Sequence, residues 1–229
     1  MMDDENERAK SAINPRLGDA AYEALKDRIS RGVYRPGDKL TVRSVAETLG
    51  VSSTPARDAI NRLTAENALV YAGPKTVIIP VLSESDLREV TVVRIALEGL
   101  AAEEAAKNCG AQDVERLKGL QMRINESLER RDYASVLWHN KEFHFHVYAR
   151  SGLPRLVGLI EAQWLRVGPS FYGLYPEFAE ERYGVRNHEM AMDAIEEGDC
   201  RALRAAFESD IRMGYLRLRS AVRARAPTE

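Results

Sequence analysis

The chain has little cysteine, no long apolar run and almost no net charge, and each shortage narrows the field. Cys109 and Cys200 are too few and too far apart for a disulfide framework, which suits a reducing cytoplasm. No apolar run approaches the roughly 20 residues of a membrane span. The opening MMDDENERAK is acidic and polar, unlike a signal or transit peptide, and residues 1–15 read as a disordered lead-in. Internal repeats, low-complexity tracts, glycine-rich phosphate loops and nucleophile–base pairs are all missing. A hydrophobic share of 45% with 30% charged residues is that of an ordinary soluble protein, and 229 residues suffice for two modest domains.

The net charge of −2 conceals an asymmetry. Residues 16–80 carry 10 Lys/Arg against 7 Asp/Glu, whereas residues 81–229 carry 21 against 24. The first stretch is therefore the one suited to meeting phosphate. Within it lies LGVSSTPARDAINRLTAENAL, Leu49 to Leu69. Gly50 is a left-handed stop after one helix, Ser52, Ser53 and Thr54 offer hydroxyl caps, and Pro55 fits the first turn of the next. Ala56, Ala59, Ile60 and Leu63 form its buried stripe, leaving Ser53, Thr54, Arg57, Asn61 and Arg62 on the outer side. Hydroxyl and guanidinium groups at a helix start suit phosphates and base edges.

Upstream, Tyr22, Leu25 and Ile29 share a helical face, and Gly32 to Leu40 reads as a Pro-Gly turn. Thr41 then caps a short helix whose Val42, Val45, Ala46 and Leu49 face inward. Leu69 to Tyr71 and Thr76 to Ile79 read as two strands around Ala72 to Lys75. Three helices followed by a hairpin is the order of a winged helix-turn-helix.

Residues 84–224 read as all-α, with helices over about 84–108, 111–130, 132–151, 153–171, 175–197 and 199–224. Ser85 is a candidate cap for the first, with Leu87, Val90, Val93, Leu97 and Leu100 at core spacing. The expected fold is thus mainly α: a winged domain over 16–80, then an antiparallel helical bundle over 84–224. Asn140 and His144 lie four apart on one face of the third of these helices, with His188 on the fifth and Asp210 on the sixth. Such a set can hold a divalent metal inside a bundle. His139 and His146 point away from that face, and Glu189 and Asp193 read as solvated. Arg94 interrupts the first stripe, either pairing with Glu98 at i+4 or awaiting an anionic ligand, and Arg166 and Tyr172 are further candidates to line a cavity. Trp138 and Trp164 read as core or interface.

YEALKDRISRGVYRPGDKLTVRSVAETLGVSSTPARDAINRLTAENALV resembles the amino-terminal domain of GntR-type bacterial transcription regulators. Position 53 is Ser where many relatives carry Arg, and the wing reads GPK rather than an Arg-Gly pair. The segments Val92 to Ala106, Asn140 to Leu156 and Asn187 to Asp210 are similar to the FCD effector domain of the FadR-like subgroup. That resemblance implies a metal set of Asn140, His144 and His188, with Asp210 where a last His is expected, and a divalent ion such as zinc or nickel. It also implies a cytoplasmic, ligand-responsive homodimer reading palindromic double-stranded DNA through Arg43, Ser53, Thr54, Arg57 and Lys75. The effector would be a small carboxylate, with Arg94, Arg166 and Tyr172 contributing, and the chain would be no enzyme and have no membrane partner. The competing readings are a metal-dependent enzyme acting at the bundle site and a constitutive architectural DNA binder.

Overall fold

Helix α1 (Pro15–Ser30) begins the computed structural model, which describes residues 15–174 and 183–225. The expected lead-in, apart from Pro15, lies outside the described residues. Helix α1 buries Ala21, Tyr22, Leu25 and Ile29, the face its spacing foretold. Strand β1 (Lys39–Thr41) leads into α2 (Val42–Leu49), where Thr41 and Ser44 form a capping box and Gly50, at φ 65°, stops the helix. Helix α3 (Ser53–Ala65) buries Ala56, Ala59, Ile60 and Leu63; Ser52 is its cap residue, without a side-chain capping bond. The hairpin is β2 (Val70–Gly73) and β3 (Thr76–Ile78), with a bulge between Tyr71 and Gly73.

The sheet has three strands, not two. Its order is β1-β3-β2, and β1 pairs Lys39, Leu40 and Thr41 with Ile78, Val77 and Thr76. Three residues show no periodicity of their own; it is the distant partner that makes β1 a strand.

Helix α4 (Glu84–Ala105) is capped by Ser83 rather than Ser85, because only Ser83 has Asp86 at N3 to complete a capping box. Its expected stripe is also corrected. Val93 and Leu100 are exposed, while Arg94, Glu98, Ala101, Ala102 and Ala105 are buried. Helix α4 packs closely on α9 (Cys200–Arg225), and small residues permit that approach: a Cβ on Gly99 would sit 2.9 Å from Glu208 Oε1. Val92, Val93 and Leu100 are turned outward.

The bundle continues through α5 (Ala111–Glu129), α6 (Tyr133–Ala149), α7 (Pro154–Val167) and α8 (Tyr183–Glu197). Between α7 and α8 a 3-10 helix spans Gly168–Leu174, where an α-helix was expected as far as 171. Pro169 accounts for the change, since proline supplies no N–H and clashes with the carbonyl four residues back. The expected start of the next helix, 175–182, lies outside the described residues. Phe143, Val147, Tyr148, Leu117, Leu120, Ile160 and Phe207 centre the bundle core. No helix among the described residues is long and apolar enough to cross a membrane.

The winged part and the bundle share a seam. Leu165 of α7 belongs to the winged core, and Lys26 Nζ of α1 lies 2.8 Å from Glu161 Oε2. Arg31 stacks 3.7 Å over the Trp138 ring, and Tyr172 Oη donates to the Arg31 carbonyl at 2.7 Å. Gly32 permits this. Its φ is 66°, and a Cβ there would fall 1.5 Å from the Tyr172 ring.

Candidate functional site

Arg43, Ser53, Arg57 and Lys75 line one open groove between α2, α3 and the wing, with Asn61 and Tyr71 beside them. Thr54 is exposed at the start of α3, outside that lining. Arg43 is held by Glu47 at 2.9 Å, whereas Arg57 and Lys75 have no ion-pair or hydrogen-bond partner among the described residues. Tyr71, 61% exposed, donates to Asn61 Oδ1 at 3.1 Å and ties the wing to α3. Arg62, read on the same outer side of α3, is drawn instead to Asp19 at 2.7 Å and stacks on Tyr22. The groove thus offers free cations and small polar groups along a convex helix start, the chemistry that phosphates and base edges require.

The second site is inside the bundle. His144 Nε2 and His188 Nε2 face each other at 3.3 Å, and Asp210 Oδ2 is 3.4 Å from His144 Nε2. Ligand atoms of the three lie within 4.8 Å of one another. Helices α6, α8 and α9 bring them together, as their places in the sequence led one to expect. Each imidazole is oriented from behind. His188 Nδ1 donates to Gln121 Oε1 at 2.6 Å. The hydroxyl of Tyr148 donates to Glu98, so its oxygen accepts from His144 Nδ1 at 2.9 Å. The tautomers these partners assign aim both Nε2 lone pairs inward, the outer-shell arrangement by which proteins prepare histidine ligands.

Burial pushes His188 down to about 3, His144 adds to that shift and Asp210 opposes it, so the ring is neutral near pH 7. Burial alone would raise Asp210, but its neighbours His144, His188 and Asn187 outweigh burial and bring the carboxyl to about 2. Two inward lone pairs and a carboxylate in one space call for a positive charge. Tetrahedral donors about 2.1 Å from a zinc-sized ion stand roughly 3.4 Å apart, so the observed spacings fit one ion.

Alongside is a cavity of about 70 Å³ lined by Asn140, Asp210, Arg94, Lys141, Tyr172 and Ser30 among others. That volume holds several waters or a small organic anion. Asn140 faces this space beside Asp210. Arg94 lines it too, but its Nε and Nη2 bond Glu98 at 2.6 and 3.3 Å. Glu98 also receives Trp164 Nε1 at 3.0 Å, so both tryptophan expectations are accounted for, Trp164 in the core and Trp138 at the seam. Burial works against the Arg94 charge, yet the Glu98 carboxylate holds its pKa above the usual value. Burial pushes Lys141 down, with Glu161 opposing.

Arg166 is corrected: it does not line the cavity but reaches Asp86 at 3.3 Å and Glu89 at 3.7 Å, pulled to the start of α4 by two carboxylates. His139 bonds Glu142 and His146 bonds Asp113, both away from the cluster. Gln121, Asn187, Lys141 and Ser30 escaped the sequence reading, whereas the pairing of Arg94 with Glu98 was one of its two alternatives. Tyr148, four residues after His144, was the one partner whose spacing could have disclosed it.

A winged helix-turn-helix with a cationic groove, joined to an all-α domain with a polar interior, is the build of a DNA-binding transcription regulator. Residues 17–75 match the family model described as bacterial regulatory proteins, gntR family, and residues 89–212 match the FCD domain. The chain belongs to the GntR family of DNA-binding transcription regulators and carries an FCD domain. It is 33% identical over 177 residues to the HTH-type transcriptional regulator McbR of Escherichia coli K12, covering 76% of this chain and 80% of that one. The solved structure of E. coli McbR/YncC superposes with a TM-score of 0.82 at 30% identity, over 89% of this chain and 97% of the other. A putative GntR regulator from Rhodococcus sp. RHA1 shares the fold, with a TM-score of 0.71 at 19% identity over 90% and 98% of the two chains.

Proposed function

We propose that this regulator is switched by a small carboxylate bound beside a divalent metal in the bundle. The reading is carried by the inward pairing of His144 Nε2 and His188 Nε2 with Asp210, next to a cavity that ends at Ser30 of α1. His144, His188 and Asp210 would hold the metal, with Asn140 as a fourth donor. A bound ion supplies a Lewis-acidic position for ligand oxygens. Gln121 and Tyr148 keep the imidazoles turned inward, while Arg94, tied to Glu98, and Tyr172 shape the wall. Zinc and nickel both suit two imidazoles with oxygen donors.

Arg43, Ser53, Thr54, Arg57 and Lys75 would carry the DNA contacts, two copies on one palindrome. A homodimer is supported by Val92, Val93, Ala96 and Leu100, an exposed apolar face on α4. The relatives matched are named as regulators, which favours regulation over the enzyme reading.

Metal content tests the proposal. Purified protein is expected to contain a divalent ion by elemental analysis, and chelator is expected to lower its melting temperature, because an ion bound only by the folded state stabilises it. His144→Ala and His188→Ala should each abolish both effects. Protein free of metal and indifferent to chelator would overturn the reading.

A further inference from the structure

The cavity presents two cations in unequal states. Arg94 spends two nitrogens on Glu98 within the bundle wall. Lys141, adjacent to Asn140 on α6, is only loosely matched: Glu161 Oε1 stands 3.8 Å from Nζ, and the other oxygen of Glu161 is held by Lys26 at 2.8 Å. The rings of Trp138 and Phe145 lie 5.8 and 5.3 Å from the ammonium, so much of its surround is aromatic rather than anionic. Its one hydrogen bond among the described residues goes to Ser30 Oγ at 3.0 Å, on the last residue of α1.

We propose that Lys141 is the cation that receives an anionic ligand in this cavity, and that it signals occupancy to the DNA-binding domain by exchanging Ser30 for a ligand oxygen. This rests on the reading that the cavity takes a carboxylate. A charged oxygen is a stronger acceptor for an ammonium than a serine hydroxyl, so ligand entry favours the exchange. The end of α1 is built to respond. Ser30 is followed by Arg31, whose carbonyl takes the hydroxyl of Tyr172, a second cavity-lining side chain. The turn beyond is closed by Gly32 N to Ile29 O and Val33 N to Arg28 O, both 3.0 Å. Both cavity contacts therefore end on residues 30 and 31. Helix α1 packs directly on the DNA-reading helix α3, so a shift at its end is passed to the groove. A ligand drives that shift only as far as its affinities for the two arrangements differ.

Zinc-loaded full-length protein, titrated calorimetrically with acetate, succinate and citrate, provides the test, with amide exchange followed across residues 28–34. At least one of the three anions is expected to bind wild-type protein and to change exchange at Gly32 and Val33 several-fold. Lys141→Met should weaken that binding at least tenfold, and Lys141→Arg, which restores the charge, should recover most of it. Ser30→Ala should abolish the exchange response. Zinc titration of each variant establishes that the His144, His188 and Asp210 cluster is intact. If Lys141→Met binds the anion as wild type does, or Ser30→Ala responds as wild type does, the role of Lys141 is overturned while the carboxylate reading stands. If none of the three anions binds wild-type protein, the carboxylate reading falls and this proposal with it.

Discussion

Arg57 and Arg43 share a groove but not a state. Arg43 is paired with Glu47 along its own helix, whereas Arg57 is uncommitted on the exposed side of α3. Moving a free guanidinium onto DNA breaks no existing ion pair. Arg57→Ala is therefore expected to lose on the order of 1–3 kcal/mol of affinity for the protein's own promoter DNA and to relax specificity at one base position. Fluorescence titration against the promoter and single-base variants measures both; unchanged affinity would remove Arg57 from base reading. A second residue answers to pH. Asp113 accepts from Gly110 N at 3.1 Å, Arg150 Nε at 2.7 Å and His146 Nε2 at 2.8 Å, pinning the start of α5 to the end of α6. Burial alone would raise its carboxyl, but these bonds and the Arg150 charge outweigh burial and lower it. A lowered folded value means stability that is present above the ordinary carboxylate value of about 4 and lost as pH falls through the folded one. Asp113→Asn should thus be less stable by about 1–3 kcal/mol near pH 7. Urea unfolding at a series of pH values should show the two proteins converging in acid.

Among elements, the wing and α4 illustrate how local signals succeed and fail. The hairpin was legible because Gly73 and Pro74 punctuate two short runs rich in apolar and β-branched residues, and the recognition helix because its cap residues and apolar stripe agree. Lys75 at the wing tip has no partner among the described residues, and as a point charge it suits phosphate rather than a base. Lys75→Ala is expected to weaken binding alike on specific and unrelated DNA and to reduce the slope of log affinity against log salt by about one; a sequence-selective loss would contradict this. Helix α4 resists such reading. Its apolar residues suggest a stripe through Val93 and Leu100, yet the face it buries carries Arg94, Glu98 and alanines. Those residues suit the interior only because Tyr148 and Trp164, on two other helices, complete the Glu98 bonds. No single helix contains that information.

At the scale of the whole molecule, the apolar face left by this arrangement is the surface proposed above for a second copy. Val92 and Leu100 are 57% and 41% exposed on one side of α4. The double variant Val93→Glu, Leu100→Glu should sediment as a monomer where wild type sediments as a dimer, and should bind a palindromic site on the order of 10²-fold more weakly, since linked binding events are lost. A wild-type monomer in sedimentation velocity would overturn the dimer proposal.

Periodicity, caps and breakers are properties of neighbouring residues, so the three-helix-and-hairpin order, the helical second half and the placement of Asn140 and His144 on one face were legible in the chain itself. It also placed His188 and Asp210 on the last two helices, because the break at Gly198 falls between them. Which distant groups meet was settled by folding. Strand β1 exists by pairing with β3, Arg166 turns to Asp86, Arg94 is neutralised by a carboxylate shared with Tyr148 and Trp164, and Lys141 reaches from α6 to Ser30. Each of those outcomes depends on charges and hydrogen-bond partners brought together by packing, and packing is settled by the whole chain at once.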